Sequence, residues 1–230
     1  MTIRKTLLGM SVAAALLAGC NKAEEAPAAP VAVEPPPAAE PLEPAPAPEA
    51  APAPTADAPA AVAFDIDKIP VSDKPLGDWP YLTMPAGYEF DNADDMARQS
   101  KDLARVPVWT DGELLWVEGR SFVDELDNSD GKTFSKFELR KGLQQALESL
   151  GAVRLAERSF PEAVYTANQK AINDFTSEFS DMHNAYWYDN DADTWVIRRA
   201  DKAIWFVTDV NNDRGKLMVA EGPLPPRPAQ

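Results

Sequence analysis

The sequence predicts an α+β fold: an antiparallel sheet with one or two helices packed on one face, ending in a three-stranded meander. Three observations predict it. Two strand-like runs flank the dipeptide Asp111-Gly112, which is typical of a β-hairpin because both residue types tolerate positive φ. Apolar residues at helical spacing follow a serine cap at Ser135. Three apolar runs separated by turn-like residues fill the region 194–220, as in an antiparallel meander.

The first half of the predicted domain is a hairpin preceded by less regular chain. Residues 64–69 alternate apolar and polar side chains, which favours a half-buried strand. Prolines recur between residues 70 and 85, and residues 92–105 are consistent with either a short helix or a loop. Residues 106–110 and 113–123 are the predicted strands of the hairpin. A second turn is expected at residues 127–131.

A helix is predicted from Lys136 to Leu150. Ser135 and Glu138 have the spacing of a capping box, in which the hydroxyl and the carboxylate each bind a free backbone N–H. Apolar residues then recur at intervals of three and four, at Leu139, Leu143, Ala146, Leu147 and Leu150. Gly151 is the expected stop, because glycine readily takes the left-handed conformation that ends a helix. A strand should follow at residues 152–156.

A second helix and the meander complete the predicted domain. Pro161 suits the first turn of a helix, which should end near Ser180 and has a weaker apolar stripe. Residues 194–199, 203–210 and 216–220 are the predicted strands of the meander.

The N-terminal residues have the pattern of an export signal. Arg4 and Lys5 precede an apolar run from residue 7 to residue 18, within the length of about 7–15 residues that signal peptides use. This run is too short to cross a membrane as a helix, which needs about 20 residues. Leu17-Ala18-Gly19-Cys20 resembles the lipobox of bacterial lipoproteins at all four positions. The resemblance implies a signal peptide over residues 1–19, cleavage before Cys20, and attachment of fatty acyl chains such as palmitate to Cys20. The alternative is an ordinary secretory signal with a chance cysteine.

The same resemblance predicts where the protein is held. In lipoproteins of Gram-negative bacteria, aspartate after the lipidated cysteine usually retains the protein at the inner membrane. Asn21 occupies that position here, which implies the outer membrane, with the domain facing the periplasm. Acyl chains on Cys20 would be the contact with the membrane. The net charge of −15 argues against nucleic acid as a partner, because nucleic-acid-binding proteins carry a basic face.

The stretch between the lipidation site and the domain is predicted to be a disordered linker. Residues 20–63 consist mainly of alanine, proline and glutamate after Cys20, and such a composition cannot bury enough apolar surface to fold. In polyproline II conformation the linker would reach about 130 Å at most. Residues 64–222 would form a single α+β periplasmic domain, and residues 223–230 a proline-rich tail.

The globular part resembles an uncharacterised periplasmic domain that usually precedes an OmpA-like domain in envelope proteins. Three separated segments carry the resemblance: residues 69–88, with Ile69-Pro70-Val71-Ser72 and Trp79-Pro80-Tyr81; Leu115-Trp116-Val117-Glu118-Gly119; and residues 196–205. It implies an envelope setting and no assigned activity. Here the proline-rich tail follows in place of an OmpA-like domain, so the resemblance does not imply peptidoglycan binding.

Several residues are candidates for a site, and each also has a structural interpretation. His183 is the one histidine, and no Gly-x-Ser-x-Gly motif accompanies it. The runs 189–193 and 209–213 place acids at alternate positions as calcium loops do, but both lack the glycine and glutamate of an EF-hand and are expected to be solvated turns. Six tryptophans could form a binding surface or fill the core. Arg198-Arg199 could bind an anion or belong to a charged turn.

Two functions remain open from the sequence. The first is a lipid-anchored, non-catalytic envelope module that binds an envelope protein or cell-wall partner. No catalytic, metal-binding or cofactor-binding residue is assigned, and no cofactor is expected. The alternative is a periplasmic cell-wall hydrolase that uses acidic residues, which would need two carboxylates facing each other across a cleft about 5–9 Å wide.

Overall fold

A computed structural model describes residues 63–228. They form an antiparallel α+β domain of seven strands and two α-helices, which confirms the predicted class. The strands are β1 (Tyr88–Phe90), β2 (Ser100–Trp109), β3 (Leu114–Asn128), β4 (Val153–Ala156), β5 (Ala192–Arg198), β6 (Lys202–Val210) and β7 (Gly215–Pro223). The helices are α1 (Lys136–Ser149) and α2 (Glu162–Glu178).

The sheet is organised around the long strand β3. The strand order is β1-β3-β7-β6-β5-β4, and β2 pairs with the first part of β3. Val106 of β2 lies opposite Val117, whereas Phe122, further along β3, lies opposite Val219 of β7. The predicted meander is confirmed as β5-β6-β7, and it forms the middle of the sheet.

The two helices pack on opposite faces of the sheet. Neighbouring residues of a strand point to opposite faces, and in this sheet they alternate between two apolar clusters. The cluster on one face includes Leu139, Leu143 and Leu147 of α1 with Ile197, Phe206 and Val219. The cluster on the other face includes Tyr165, Ile172 and Phe175 of α2 with Val196, Trp205 and Met218. The expectation that the helices share one face is therefore not confirmed.

Coverage on both faces explains the sequence of the meander. Ile204, Trp205, Phe206 and Val207 of β6 are each at most 3% exposed. A strand buried on both sides has a nearly continuous apolar run rather than an alternating one. Polar residues inside these strands are consequently buried as well, which is what creates the site described below.

Helix α1 begins and ends as its sequence predicts. The hydroxyl of Ser135 accepts a hydrogen bond from the backbone N–H of Glu138 at 3.3 Å. The carboxylate of Glu138 pairs with Lys132 at 2.7 Å, while the N–H of Ser135 donates to the hydroxyl of Tyr88, so only half of the expected capping box forms. Gly151 follows the helix with φ +84°.

Two predicted segments differ in the structure. Residues 64–69 contain a 3₁₀ turn, Ile66–Lys68, rather than a strand. Ile66 and Ile69 are buried at a spacing of three, which is the period of a 3₁₀ helix. Strand β2 begins at Ser100, inside the segment 92–105 that was predicted as a helix or loop, because its pairing with β3 extends beyond the hairpin.

The predicted signal peptide, Cys20, Asn21 and the linker up to residue 62 lie outside the described residues. At the other end, β7 continues to Pro223, one residue into the predicted tail. Over residues 63–228, no helix is long and apolar enough to cross a membrane.

Candidate functional site

The fold brings the two acidic runs together. Strand β5 begins at Ala192 and its neighbour β6 ends at Val210, with Ala192 opposite Asp209. The turn before β5 and the turn after β6 therefore lie side by side at the same end of the sheet. Between them is a cavity of about 200 Å³, which we call the Asp209 recess. Its wall consists of Lys136, Asn184, Trp187, Asn190, Asp191, Asp209, Val210 and Asn211.

Asp209 is the unusual residue of this recess. It is 3% exposed, and its Oδ2 accepts no hydrogen bond from any residue between 63 and 228. Burial raises the pKa of its carboxyl group, against the opposing effect of nearby Lys216. A buried polar group without a partner costs stability, so its presence on a cavity wall calls for an explanation.

The nearby cations hold other carboxylates. Lys136 lies 3.4 Å from Asp191, and Lys216 lies 3.9 Å from Glu125. Arg140 binds both oxygens of Asp193, which is 5% exposed, at 2.9 and 3.1 Å. Each of these side chains extends to a carboxylate other than Asp209.

The remaining wall of the recess is polar and aromatic. The side-chain amide of Asn190 donates to the backbone carbonyl of Asn184 at 2.7 Å, and its backbone N–H donates to the hydroxyl of Ser159 at 2.9 Å. Trp187 is 44% exposed and stacks on Tyr188 with ring centroids 5.1 Å apart. The recess therefore offers carboxylate and amide acceptors beside an aromatic surface.

Other buried polar atoms without a partner do not line this recess. Within residues 63–228 they are Ser121 Oγ, Arg198 Nε and Trp205 Nε1. The Asp209 oxygen is the one carboxylate atom among them. Asp209 is also the one residue among these four that lines the recess.

A larger depression lies beside β4, and both of its arginines have partners. Its volume is about 650 Å³, and its wall includes Arg154 and Arg158. Arg154 pairs with Glu157 at 2.6 Å, and Arg158 donates to the carbonyl of Asp189 at 2.8 Å. Because no buried polar side chain without a partner lines it, the Asp209 recess is the stronger candidate over the described residues.

The two acidic runs differ from the expected solvated turns. Asp193 is inside β5 and is held by Arg140, and Asp209 is inside β6. The side chain of Asn211 accepts the backbone N–H groups of Asp213 and Arg214 at 3.1 Å, which closes the turn after β6. In the part of the chain that the structure describes, no three acidic or histidine side chains are arranged to hold a metal ion.

The remaining candidates from the sequence do not converge on one site. His183 is exposed, with its ring 6.2 Å from that of Trp187. Trp109, Trp195 and Trp205 are buried in the core, on both faces of the sheet. Only Trp187 of the six lines the recess.

Arg198 and Arg199 attach the N-terminal segment of the domain to the sheet. Arg198 donates to the backbone carbonyls of Ile66 and Ile69, both at 3.1 Å. Arg199 donates to the carbonyl of Lys74 at 2.8 Å. Their hydrogen bonds indicate a structural role rather than an anion site.

Sequence reasoning missed the special position of Asp209. The alternating acids of 209–213 indicate a turn, although Asp209 comes two positions after the apolar run 203–207 and precedes Val210. An acid within an otherwise apolar strand is the signal that identifies it, because such a residue is buried and needs a partner.

No protein-family model, curated protein or solved structure matches this chain. The role of the Asp209 recess therefore rests on the geometry and chemistry of its own residues.

Proposed function

We propose that this protein is a lipid-anchored envelope binding module that holds a small polar ligand in the Asp209 recess. The observation that carries the proposal is the side chain of Asp209, which borders the cavity, is 3% exposed and has no donor to its Oδ2 among the described residues. Residues that reduce stability are commonly retained where they serve binding or catalysis. A ligand donor at this position would supply the missing hydrogen bond.

The anchor in this proposal is Cys20. Its support is the match of Leu17-Ala18-Gly19-Cys20 to a lipobox, behind a basic start and a short apolar run. Each buried CH₂ group of an acyl chain contributes about 0.8 kcal/mol, and a single chain holds only marginally. Several chains on Cys20 would hold the protein stably, and Asn21 would direct it to the outer membrane.

The tether would give the domain its reach. Residues 21–62 are rich in alanine and proline, and a disordered segment of this kind is a preferred site of proteolysis. Limited proteolysis of the full chain should therefore cut within this segment and leave a fragment close to residues 63–228. Resistance of the whole segment would contradict the tether.

The resemblance to the periplasmic domain that precedes OmpA-like domains supports the envelope setting. Its segments fall in the chain leading to β1, in β3 and across the β5–β6 turn. Within the fold the first and the third of these segments are connected, since Ser72 donates its backbone N–H to the carbonyl of Arg198 at 2.9 Å. The proposal takes from this resemblance a location and no activity.

Labelling in cells tests the anchor. The wild type should incorporate labelled fatty acid and fractionate with the outer membrane, whereas Cys20→Ala should incorporate none. Asn21→Asp should move a large share to the inner membrane in a host that uses the aspartate rule. Label on Cys20→Ala would refute the anchor, and failure of Asn21→Asp alone would refute only the outer-membrane assignment.

A melting experiment tests the binding module. The full chain in detergent is heated with and without a low-molecular-weight extract of the cell envelope. The extract should raise the melting temperature of the wild type and of Asp213→Asn, a control in the adjacent exposed turn. It should leave Asp209→Asn unchanged. Equal responses of the wild type and Asp209→Asn would contradict ligand binding in the recess.

A second candidate is the cell-wall hydrolase, and one observation favours it. Asp191 and Asp209 line the same recess, burial raises the pKa of Asp209, and Asp191 is paired with Lys136. Two carboxyl groups in different environments, one buried and one beside a cation, are an arrangement that glycosidases use. Release of soluble fragments from purified cell wall by the wild type, lost in both Asp191→Asn and Asp209→Asn, would establish this function. The binding proposal predicts no release.

A further inference from the structure

We infer that the Asp209 recess recognises its ligand through a primary ammonium group, which pairs with the carboxylate of Asp209. The inference rests on the proposed function, since it names the chemical class that the same recess would take. It follows from three features of the recess: the arrangement of charges, the acceptors on its wall and the exposed indole of Trp187.

The arrangement of charges leaves Asp209 without an ion-pair partner within 4.0 Å among the described residues, although Lys216 lies opposite it across the β6–β7 pair. Over residues 63–228, the cations that lie within 4.0 Å of a carboxylate do so at carboxylates other than Asp209. In particular, Lys136 pairs with Asp191, Lys216 approaches Glu125, and Arg140 binds Asp193. A ligand cation would supply the charge that Asp209 lacks, and in a site sheltered from water such a pair is stronger than on the surface.

The acceptors suit an ammonium group in number. An ammonium carries three N–H donors and no acceptor. The wall includes the carboxylate residues Asp209 and Asp191, and Asn190, whose NH₂ group donates to Asn184 and leaves its side-chain carbonyl as an acceptor. Carboxylate and amide oxygens accept these hydrogen bonds, and such bonds are stronger when the donor is a cation than when it is neutral.

The exposed indole of Trp187 adds an aromatic surface at the recess. Trp187 is 44% exposed and lines the cavity. Tryptophan is the best aromatic partner for a cation, and ammonium groups bind within about 6 Å of the ring centre. An alkyl chain attached to the ammonium would in turn contact the same indole.

Other ligand classes fit these residues less well. Calcium prefers six to eight oxygen ligands, whereas only two carboxylates line the cavity, and the ammonium of Lys136 lies beside one of them. An anion would meet both carboxylates. A neutral sugar could donate to Asp209 but would leave its charge without a counter-ion.

The cavity of about 200 Å³ admits only a small group. Pockets that enclose drug-sized ligands are about 300–1,000 Å³. The recess therefore suits a short aliphatic amine, or the amino end of a longer molecule that extends past Trp187 into solvent.

The test is a titration of the full chain in detergent, followed through the indole N–H resonance of Trp187, which is assigned with Trp187→Phe. The probes are ethylammonium chloride, ethanol as its neutral counterpart, sodium acetate, calcium chloride and glucose, with sodium chloride at matched ionic strength. Ethylammonium should give a saturable shift that the other probes do not give. Its affinity should fall at least tenfold in Asp209→Asn and stay unchanged in Asp213→Asn.

The possible results distinguish failure of the ammonium assignment from failure of the proposed binding function. A response to ethylammonium that equals that of sodium chloride, or one that persists in Asp209→Asn, overturns it. Saturable, Asp209-dependent binding of glucose or calcium without ethylammonium binding overturns the ammonium assignment and leaves the proposed binding function standing. If no probe binds and the envelope extract also leaves the melting temperature unchanged, the proposed function fails as well.

Discussion

Asp209→Asn should stabilise the protein. Asp209 is 3% exposed and its Oδ2 has no donor from residues 63–228. An unpaired buried polar group costs about 1–3 kcal/mol, and an ionised one costs more. The asparagine has nearly the same shape and still buries polar atoms, so only part of this cost is recovered. We expect a gain of about 1 kcal/mol, which corresponds to a rise of about 2–4 °C in melting temperature for a domain of this size.

The gain should depend on pH in a defined direction. Burial raises the pKa of Asp209 in the folded protein above its ordinary value of 3.8. Between 3.8 and the raised pKa the folded state binds more protons than the unfolded state, so the stability of the wild type falls as pH rises through that window. The advantage of Asp209→Asn should therefore grow as pH rises through this window and should vanish below about pH 4.

Thermal unfolding of the full chain in detergent, followed by circular dichroism from pH 3.5 to pH 8, measures both effects. Asp213→Asn is the matched control, because Asp213 is exposed in the turn after β6 and its substitution should change the melting temperature by no more than about 1 °C. A lower melting temperature for Asp209→Asn at pH 7 would refute the reasoning. So would a gain that stays constant down to pH 3.5.

Two further predictions concern helix α1. Arg140→Met should lower the melting temperature by about 4–8 °C at pH 7, because the buried carboxylate of Asp193 then keeps only Arg154, at 3.8 Å, as a counter-ion among the described residues. This corresponds to about 2 kcal/mol, less than for a fully buried pair, because the side chain of Arg140 is 34% exposed. Exposed Lys141→Met is its control, and equal effects of the two would show that the ion pair contributes nothing. Leu143→Asp should cost about 4 kcal/mol or more, since Leu143 is 2% exposed, while Gln145→Asp on the exposed face should be mild. Similar melting temperatures for these two variants would contradict the assigned faces of α1.

Local sequence signals predicted the elements whose structure depends on neighbouring residues. The turn at Asp111-Gly112 lies where the dipeptide indicates, with Asp111 at φ 62°. The serine cap and Gly151 bound α1 within one residue of the prediction. In each case the backbone geometry and the hydrogen bonds involve residues a few positions apart, so the sequence contains the whole cause.

Elements whose structure depends on distant pairing were predicted poorly. The start of β2 and the end of β3 extend beyond the expected hairpin, because β3 also pairs with β7 and β1. The 3₁₀ turn Ile66–Lys68 replaced a predicted strand, since the alternation of residues 64–69 does not show that Ile66 and Ile69 reach the same core. Contacts of this kind join residues that are far apart in the sequence.

The sequence by itself determined the antiparallel α+β class, helix α1, the hairpin and the meander, and it contains the lipobox-like motif at Cys20 from which the anchor is proposed. Only the tertiary structure decided that the helices cover opposite faces and that the turns at 189–191 and 211–214 lie side by side. Because β5 and β6 are antiparallel neighbours, the start of one strand meets the end of the other, and Asp191 and Asp209 line one recess. Burial of both faces then leaves Asp209 3% exposed, with no hydrogen-bond donor to its Oδ2 from the described residues, a condition that depends on packing across the sheet.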